Sequence, residues 1–172
     1  GLGVYAPYGL SLDYGTNTPF SSLAENGEVL YACINPVIAW RINSKLSIGI
    51  GPTINYSQAD FNRGIYGVPG GVFKFDGNGV ALGYNAGARW QPLDQLAFGV
   101  NYRSATTINY DGTSKTHPSP PLPGDSSTTA SGHFPRFVTG GVSYRPTENW
   151  NLEFDVDWTD WNSVKQIVFE NT

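Results

Sequence analysis

Glu153, Asp155 and Asp157 are the residues whose types first suggest chemistry, since clustered carboxylates serve acid/base catalysis or hold calcium. Their i, i+2 spacing has a simpler origin, because alternate residues of one extended strand share a face. Arg89 and Arg103 fall on the corresponding face of other segments, so opposite charges can pair across an interior. His117 and His133 both sit in a Pro/Ser-rich stretch and complete no Ser-His-Asp or metal-ligand spacing. Cys33 is the single cysteine, which excludes an internal disulfide and a thiol pair for zinc. No nucleophile motif is visible. The sequence therefore predicts no enzyme, no metal and no cofactor. A net charge of −4 is the wrong sign for a nucleic-acid footprint.

The elements that position these residues are strands. Leu46, Ile48, Ile50, Ile54 and Tyr56 alternate with Ser47, Gly49, Gly51, Thr53 and Asn55, a period of two. The pattern returns from Val80 to Trp90, and from Leu96 to Tyr102 with a weaker continuation through Ile108 and Tyr110. It is clearest from Trp150 to Trp158, where Trp, Leu, Phe, Val and Trp interleave with Asn, Glu, Asp and Asp. Further strands are predicted at about 2–10, 29–42 and 134–144, with an eighth, incomplete one at 164–170. No helix and no domain boundary is predicted.

Connections alternate in length. Asn43-Ser44, Leu93-Asp94 and Thr147-Glu148 mark tight turns, whereas 11–27, 63–78 and 111–133 read as long loops, the last holding the Pro/Ser/Gly/Thr-rich run 118–131. No apolar run approaches the roughly 20 residues of a membrane-spanning helix. A soluble β-sandwich would also alternate apolar and polar residues. Three features favour a transmembrane antiparallel barrel instead. The runs reach the roughly 9–11 residues of a tilted spanning strand. Trp40, Tyr56, Trp90, Trp150 and Trp158 lie near strand ends, as an interfacial girdle requires, and short turns alternate with long loops. Only 14% of residues are charged and Met is absent, which predicts a segment of a longer protein with any export signal upstream.

Several segments resemble the FadL/TodX family of outer-membrane transporters for long-chain fatty acids and other hydrophobic compounds. They are Gly1-Leu2-Gly3-Val4-Tyr5-Ala6-Pro7-Tyr8-Gly9-Leu10-Ser11, Ile34-Asn35-Pro36-Val37-Ile38-Ala39-Trp40-Arg41-Ile42, Lys45-Leu46-Ser47-Ile48-Gly49, Gly83-Tyr84-Asn85-Ala86-Gly87, Gly99-Val100-Asn101-Tyr102-Arg103-Ser104, Phe134-Pro135 and Trp158-Thr159-Asp160-Trp161-Asn162-Ser163. The resemblance covers essentially the whole chain in family order. It implies that residues 1–172 form part of a single barrel domain of about fourteen strands, contributing about seven or eight of them, roughly the third to ninth. The N-terminal plug and closing strands would lie outside this chain.

The resemblance also implies an all-β protein of the bacterial outer membrane that moves hydrophobic molecules passively, by loop capture, lumen binding and lateral release. Long-chain fatty acids are the leading cargo; aromatic hydrocarbons, or a structural or adhesive barrel, are the alternatives. Its partners would be a hydrophobic small molecule and outer-membrane lipid, and the complete protein could act as a monomer. Pro7, Tyr8 and Gly9 would kink a strand and open the wall, because Pro lacks a ladder donor and Gly relaxes the backbone; Pro7 could equally mark a strand end. Arg63 lines up with a basic residue of the fatty-acid transporters and would pair with a carboxylate, while Phe61, Tyr66, Phe73 and Phe75 supply apolar contact. Its loop is shorter and richer in Gly and Pro than in long-loop members. A solvated arginine beside a packed loop or girdle is the plain alternative. Arg89, Arg103, Glu153, Asp155 and Asp157 would be lumen charges.

Overall fold

In the computed structural model, residues 1–119, 122, 124–163 and 168–171 are described, with side chains described up to residue 163. Twelve antiparallel strand segments form one sheet. β1 (Leu2–Tyr5) and β2 (Gly9–Asp13) are halves of one stave, as are β3 (Asn26–Pro36) and β4 (Ile38–Arg41). β5 (Leu46–Gly64) and β6 (Val72–Leu93) run unbroken. Three further staves are divided: β7 (Leu96–Arg103) with β8 (Thr106–His117), β9 (Ser126–Phe134) with β10 (Phe137–Thr147), and β11 (Trp150–Thr159) with β12 (Val168–Asn171). A 3-10 turn, Trp161–Ser163, is the helical element among the described residues and was not expected from the sequence.

Each stave pairs with the next in chain order, the up-and-down arrangement of a barrel wall. The tight turns lie where expected. At the first, the Asn43 side-chain oxygen accepts the backbone N–H groups of Lys45 and Leu46 at 2.8 and 2.9 Å, fixing the reversal locally.

The long connections are shorter than predicted, at 14–25, 65–71 and 118–125. β5 and β6 remain in register from Leu46↔Trp90 to Gly64↔Val72, and β8 pairs with β9 from Thr106↔Phe134 to Ser114↔Ser126. These stretches look like loop in the sequence because Gly, Ser and Thr interrupt their alternation, yet backbone pairing continues through them. The expected eighth strand is also revised. Val168–Asn171 pairs with β9 and so continues the stave of β11, while 164–167 lie outside the described residues.

Polarity is inverted relative to a water-soluble sheet. The concave face buries Asn35, Thr53, Asn55, Ser57 and Thr128, whereas Leu2, Ile38, Ile50, Leu82, Trp90 and Phe154 stand exposed on the convex face. Leaving such side chains in water forfeits about 1.5–3 kcal/mol each, so this face requires lipid. Trp40, Tyr56, Trp90, Trp150 and Trp158 are all exposed. Beyond Tyr56 and Val80 the convex face changes to Gln58, Asp60, Asn78, Asp76 and Lys74, so the upper part of the β5–β6 hairpin projects past the apolar belt.

At that level three staves exchange faces. Between Tyr5↔Cys33 and Gly9↔Leu30, residues 6–8 oppose only Tyr31 and Ala32, and one surplus residue turns every later side chain over. Likewise 104–110 oppose 79–84 between Arg103↔Asn85 and Asp111↔Asn78. β9–β10 follows at Pro135-Arg136. Ile108 and Tyr110 therefore face inward and are buried, not aligned with outward Phe98 and Val100 as the alternation predicted. The core consists of Tyr31, Cys33, Ala59, Phe75, Ile108, Tyr110 and Ala130. β8 lies so close to β6 that a Cβ on Gly79 would stand 2.2 Å from the Asn109 carbonyl oxygen.

Candidate functional site: an apolar pocket at breaks in the wall

Pro7, Tyr8 and Gly9 border a pocket of about 430 Å3 on the concave side, together with Leu10, Val29, Phe61, Phe75, Tyr110, Phe134, Pro135 and Trp161. Residues from six staves and from the 3-10 turn converge because the face exchanges direct Leu10, Tyr110 and Phe134 inward. The first stave changes direction at Pro7, which offers no ladder donor, and the sixth at Pro135 for the same reason.

Aromatic rings fix the pocket's shape. Tyr8 stands edge-on to Tyr31 with centroids 5.2 Å apart and lies 5.2 Å from Phe134, while Tyr31 and Phe134 are 4.6 Å apart. Their hydroxyls are engaged elsewhere. Tyr8 donates to the Pro135 carbonyl at 2.7 Å, Tyr31 bonds Thr106 at 3.0 Å, and Tyr110 bonds Ser57 at 2.9 Å. With these polar ends satisfied, the lining presents carbon to an occupant, the property required of a site for hydrophobic molecules.

The predicted ligand-binding residues divide. Phe61 and Phe75 are register partners and line the pocket. Arg63 is not beyond the end of its strand as predicted but within β5, opposite Phe73, with its guanidinium 5.2 Å from that ring. It is exposed, one step above Phe61 on the same face, a distance of about 6–7 Å along the strand. Tyr66 is 92% exposed in the 65–71 connection and lines no part of the pocket.

The charged residues occupy the concave face below the breaks. Arg89, Glu153 and Asp155 border a second, more polar cavity of about 360 Å3 with Asn101, Thr139 and Ser143. The predicted pairing across the interior does not occur: among the described residues the ion pair is Arg136–Asp160 at 3.1 Å, at the outer break. Asn151 donates to Glu153 at 2.6 Å and Thr139 donates to Asp157. Side-chain hydrogen bonds to neighbours thus replace the long reach that ion pairs across a wide sheet would need. Arg103 instead rests between aromatic rings, 4.5 Å from the Tyr5 centroid and 4.9 Å from that of Phe137.

Leu10, Val29, Ala59, Tyr110, Ala130, Phe134 and Trp161 escaped the sequence reading. The prolines at 7 and 135 were the available signal, since a break with a surplus residue reverses the alternation that follows.

The family model for the outer membrane protein transport protein (OMPP1/FadL/TodX) matches residues 1–172. The chain belongs to this family. Membership in the FadL/TodX family places it in the bacterial outer membrane as a multi-pass β-barrel segment. A FadL homologue from Pseudomonas aeruginosa superposes with a TM-score of 0.87 at 16% identity, over 99% of this chain and 47% of that one. The Ralstonia pickettii toluene transporter TbuX gives 0.80 at 17% identity, over 99% and 54%. The Pseudomonas putida toluene transporter TodX gives 0.69 at 14% identity, over 99% and 53%. The chain thus spans about half the length of these structures. No curated protein matches it in sequence.

Proposed function

We propose that residues 1–172 form one part of the wall of a single barrel domain that carries hydrophobic molecules passively across the outer membrane, long-chain fatty acids foremost. The observation that carries this reading is the coincidence of the Pro7-Tyr8-Gly9 break with the apolar pocket. A molecule on the convex side of an intact strand would meet a continuous ladder, whereas here the ladder lapses where the inner surface is most apolar. Arg63, with Phe73 beside it, serves as the outer contact for a carboxylate. Phe61 and Phe75 pass the alkyl chain down into the pocket, and Tyr66 offers an exposed apolar contact at the tip of the hairpin. The cargo then leaves sideways into lipid past Pro7, Tyr8 and Gly9. This route needs no cofactor.

Aromatic hydrocarbons are the second reading, favoured by a pocket lined by Tyr8, Phe61, Phe75, Tyr110, Phe134 and Trp161. Both readings share the exit. Deleting Ala6 from the full-length protein leaves two residues facing two and straightens the stave. The expected result is a protein that still inserts in the outer membrane but no longer admits labelled oleate or toluene to cells lacking another carrier. Undiminished uptake by a properly inserted deletion variant would refute lateral release at this break.

A further inference from the structure

Prolines interrupt the wall at a second place, and this one lies within the lipid belt. The ladder of the second stave on β5 stops at Ile34↔Ile54 and resumes at Ile38↔Ile50. Three residues face three across this seam, so no side chain changes face, and Pro36 falls opposite Pro52 at its centre. Neither proline has an N–H to give. On their far sides both strands stay held, Pro36 by Leu2 and Pro52 by Tyr84. Tyr84 stands in the middle of the apolar convex run from Val80 to Trp90, so the seam is deep in hydrocarbon, where a carbonyl without a donor finds no water.

The wall is thin at this point. On the lipid side Pro36, Ile38, Ile50, Pro52 and Tyr84 border an open groove of about 670 Å3 lined by uncharged side chains. On the concave side a cavity of about 290 Å3 lies among Ala39, Ser47, Asn85 and Asn101. Val37 borders both. The backbone at Pro36 leans over β5, since a Cβ on Gly51 would stand 2.1 Å from the Pro36 carbonyl oxygen. Asn35, buried on the concave face, bridges the seam: its Nδ2 donates to the Pro52 carbonyl at 2.8 Å, in place of the missing Pro36 N–H. Asn85 keeps that amide aimed, because the two side chains donate to each other at 3.0 and 3.2 Å.

We propose that Asn35 is a latch that shuts a second lateral exit in mid-membrane and so confines release to the Pro7-Tyr8-Gly9 break. Without its amide the Pro52 carbonyl loses its donor, and the seam parts between Ile34↔Ile54 and Ile38↔Ile50, joining the inner cavity to the groove past Val37. The opened seam passes a flat, uncharged ring such as toluene, because the groove offers a charged headgroup no partner. The proposal rests on the transport reading and adds to it the residue that selects the exit.

The test uses the full-length protein, by amide hydrogen exchange in lipid vesicles and by toluene uptake in cells lacking another carrier. Asn35→Leu keeps the size of the side chain and removes the donor. Exchange at Ile34, Ile38, Ile50 and Ile54 should rise about ten-fold, the equivalent of one lost hydrogen bond, while β11 stays unchanged. Adding Pro36→Ala restores a backbone N–H opposite Pro52 and should return exchange to the wild-type rate, a cure that a general packing fault would not show. In the Ala6-deleted protein, whose upper break is straightened, Asn35→Leu should restore toluene uptake several-fold and Pro36→Ala should remove it again. Unchanged exchange in Asn35→Leu, a rise that Pro36→Ala leaves in place, or no regained uptake overturns the proposal. If Asn35→Leu does not assemble, Pro36→Ala alone decides: the added donor should slow exchange at the same isoleucines, and an unchanged rate overturns the latch. Undiminished uptake by the Ala6 deletion alone is instead a failure of the upper exit, and the exchange rates still decide the latch.

Discussion

Ile50 places the membrane belt under direct test. It lies on the convex face, 61% exposed, in register with Ile38 at 80% exposure and with Ala86. On β6 the apolar convex run extends from Trp90 to Val80, ten residues or about 33 Å, which at the usual tilt of about 40° spans roughly 25 Å of bilayer. Ala86, and with it Ile50, is close to the middle. Ile50→Arg in the full-length protein should therefore cost about 2–4 kcal/mol, a roughly 30- to 700-fold loss in the folding equilibrium. Gln58→Arg, four rows along the same face where polar residues begin, should cost about 0–1 kcal/mol. Denaturant unfolding from lipid vesicles measures both. If Ile50→Arg changes stability by no more than about 0.5 kcal/mol, as a solvated surface position would, the convex face is not in lipid and the inside-out reading fails.

Close packing of β8 on β6 predicts that Gly79→Ala destabilises the protein by about 1–3 kcal/mol or more, since the added methyl meets the Asn109 carbonyl and Ile108. Gly99→Ala, with open space around its Cβ, should stay within about 0.5 kcal/mol in the same unfolding assay. Arg63→Ala should lower oleate uptake several-fold and leave toluene uptake unchanged; an equal effect on both cargoes would return Arg63 to a surface role.

The amino-acid sequence determined the staves, their antiparallel order and the lipid-facing side wherever alternation ran without interruption, as in β5, β6 and β11. Side-chain period is a local property, and residues such as Ile48, Ile50 and Ile54 state it without reference to the rest of the chain. Pro7 likewise marked its own break. Tertiary structure decided what local period cannot express. One surplus residue at each of two breaks, and a matching break at Pro135-Arg136, reversed the alternation, so that Ile108 turned from the membrane to the core and Tyr110 and Phe134 to the pocket. The reach of β5, β6, β8 and β9 through Gly-, Ser- and Thr-rich sequence was also settled by pairing, because a ladder partner stabilises an extended backbone whatever its side chains. Charge partners followed the same rule. Arg103 met Tyr5, 98 residues away, through the curvature of the sheet, and no spacing within either segment encodes that meeting.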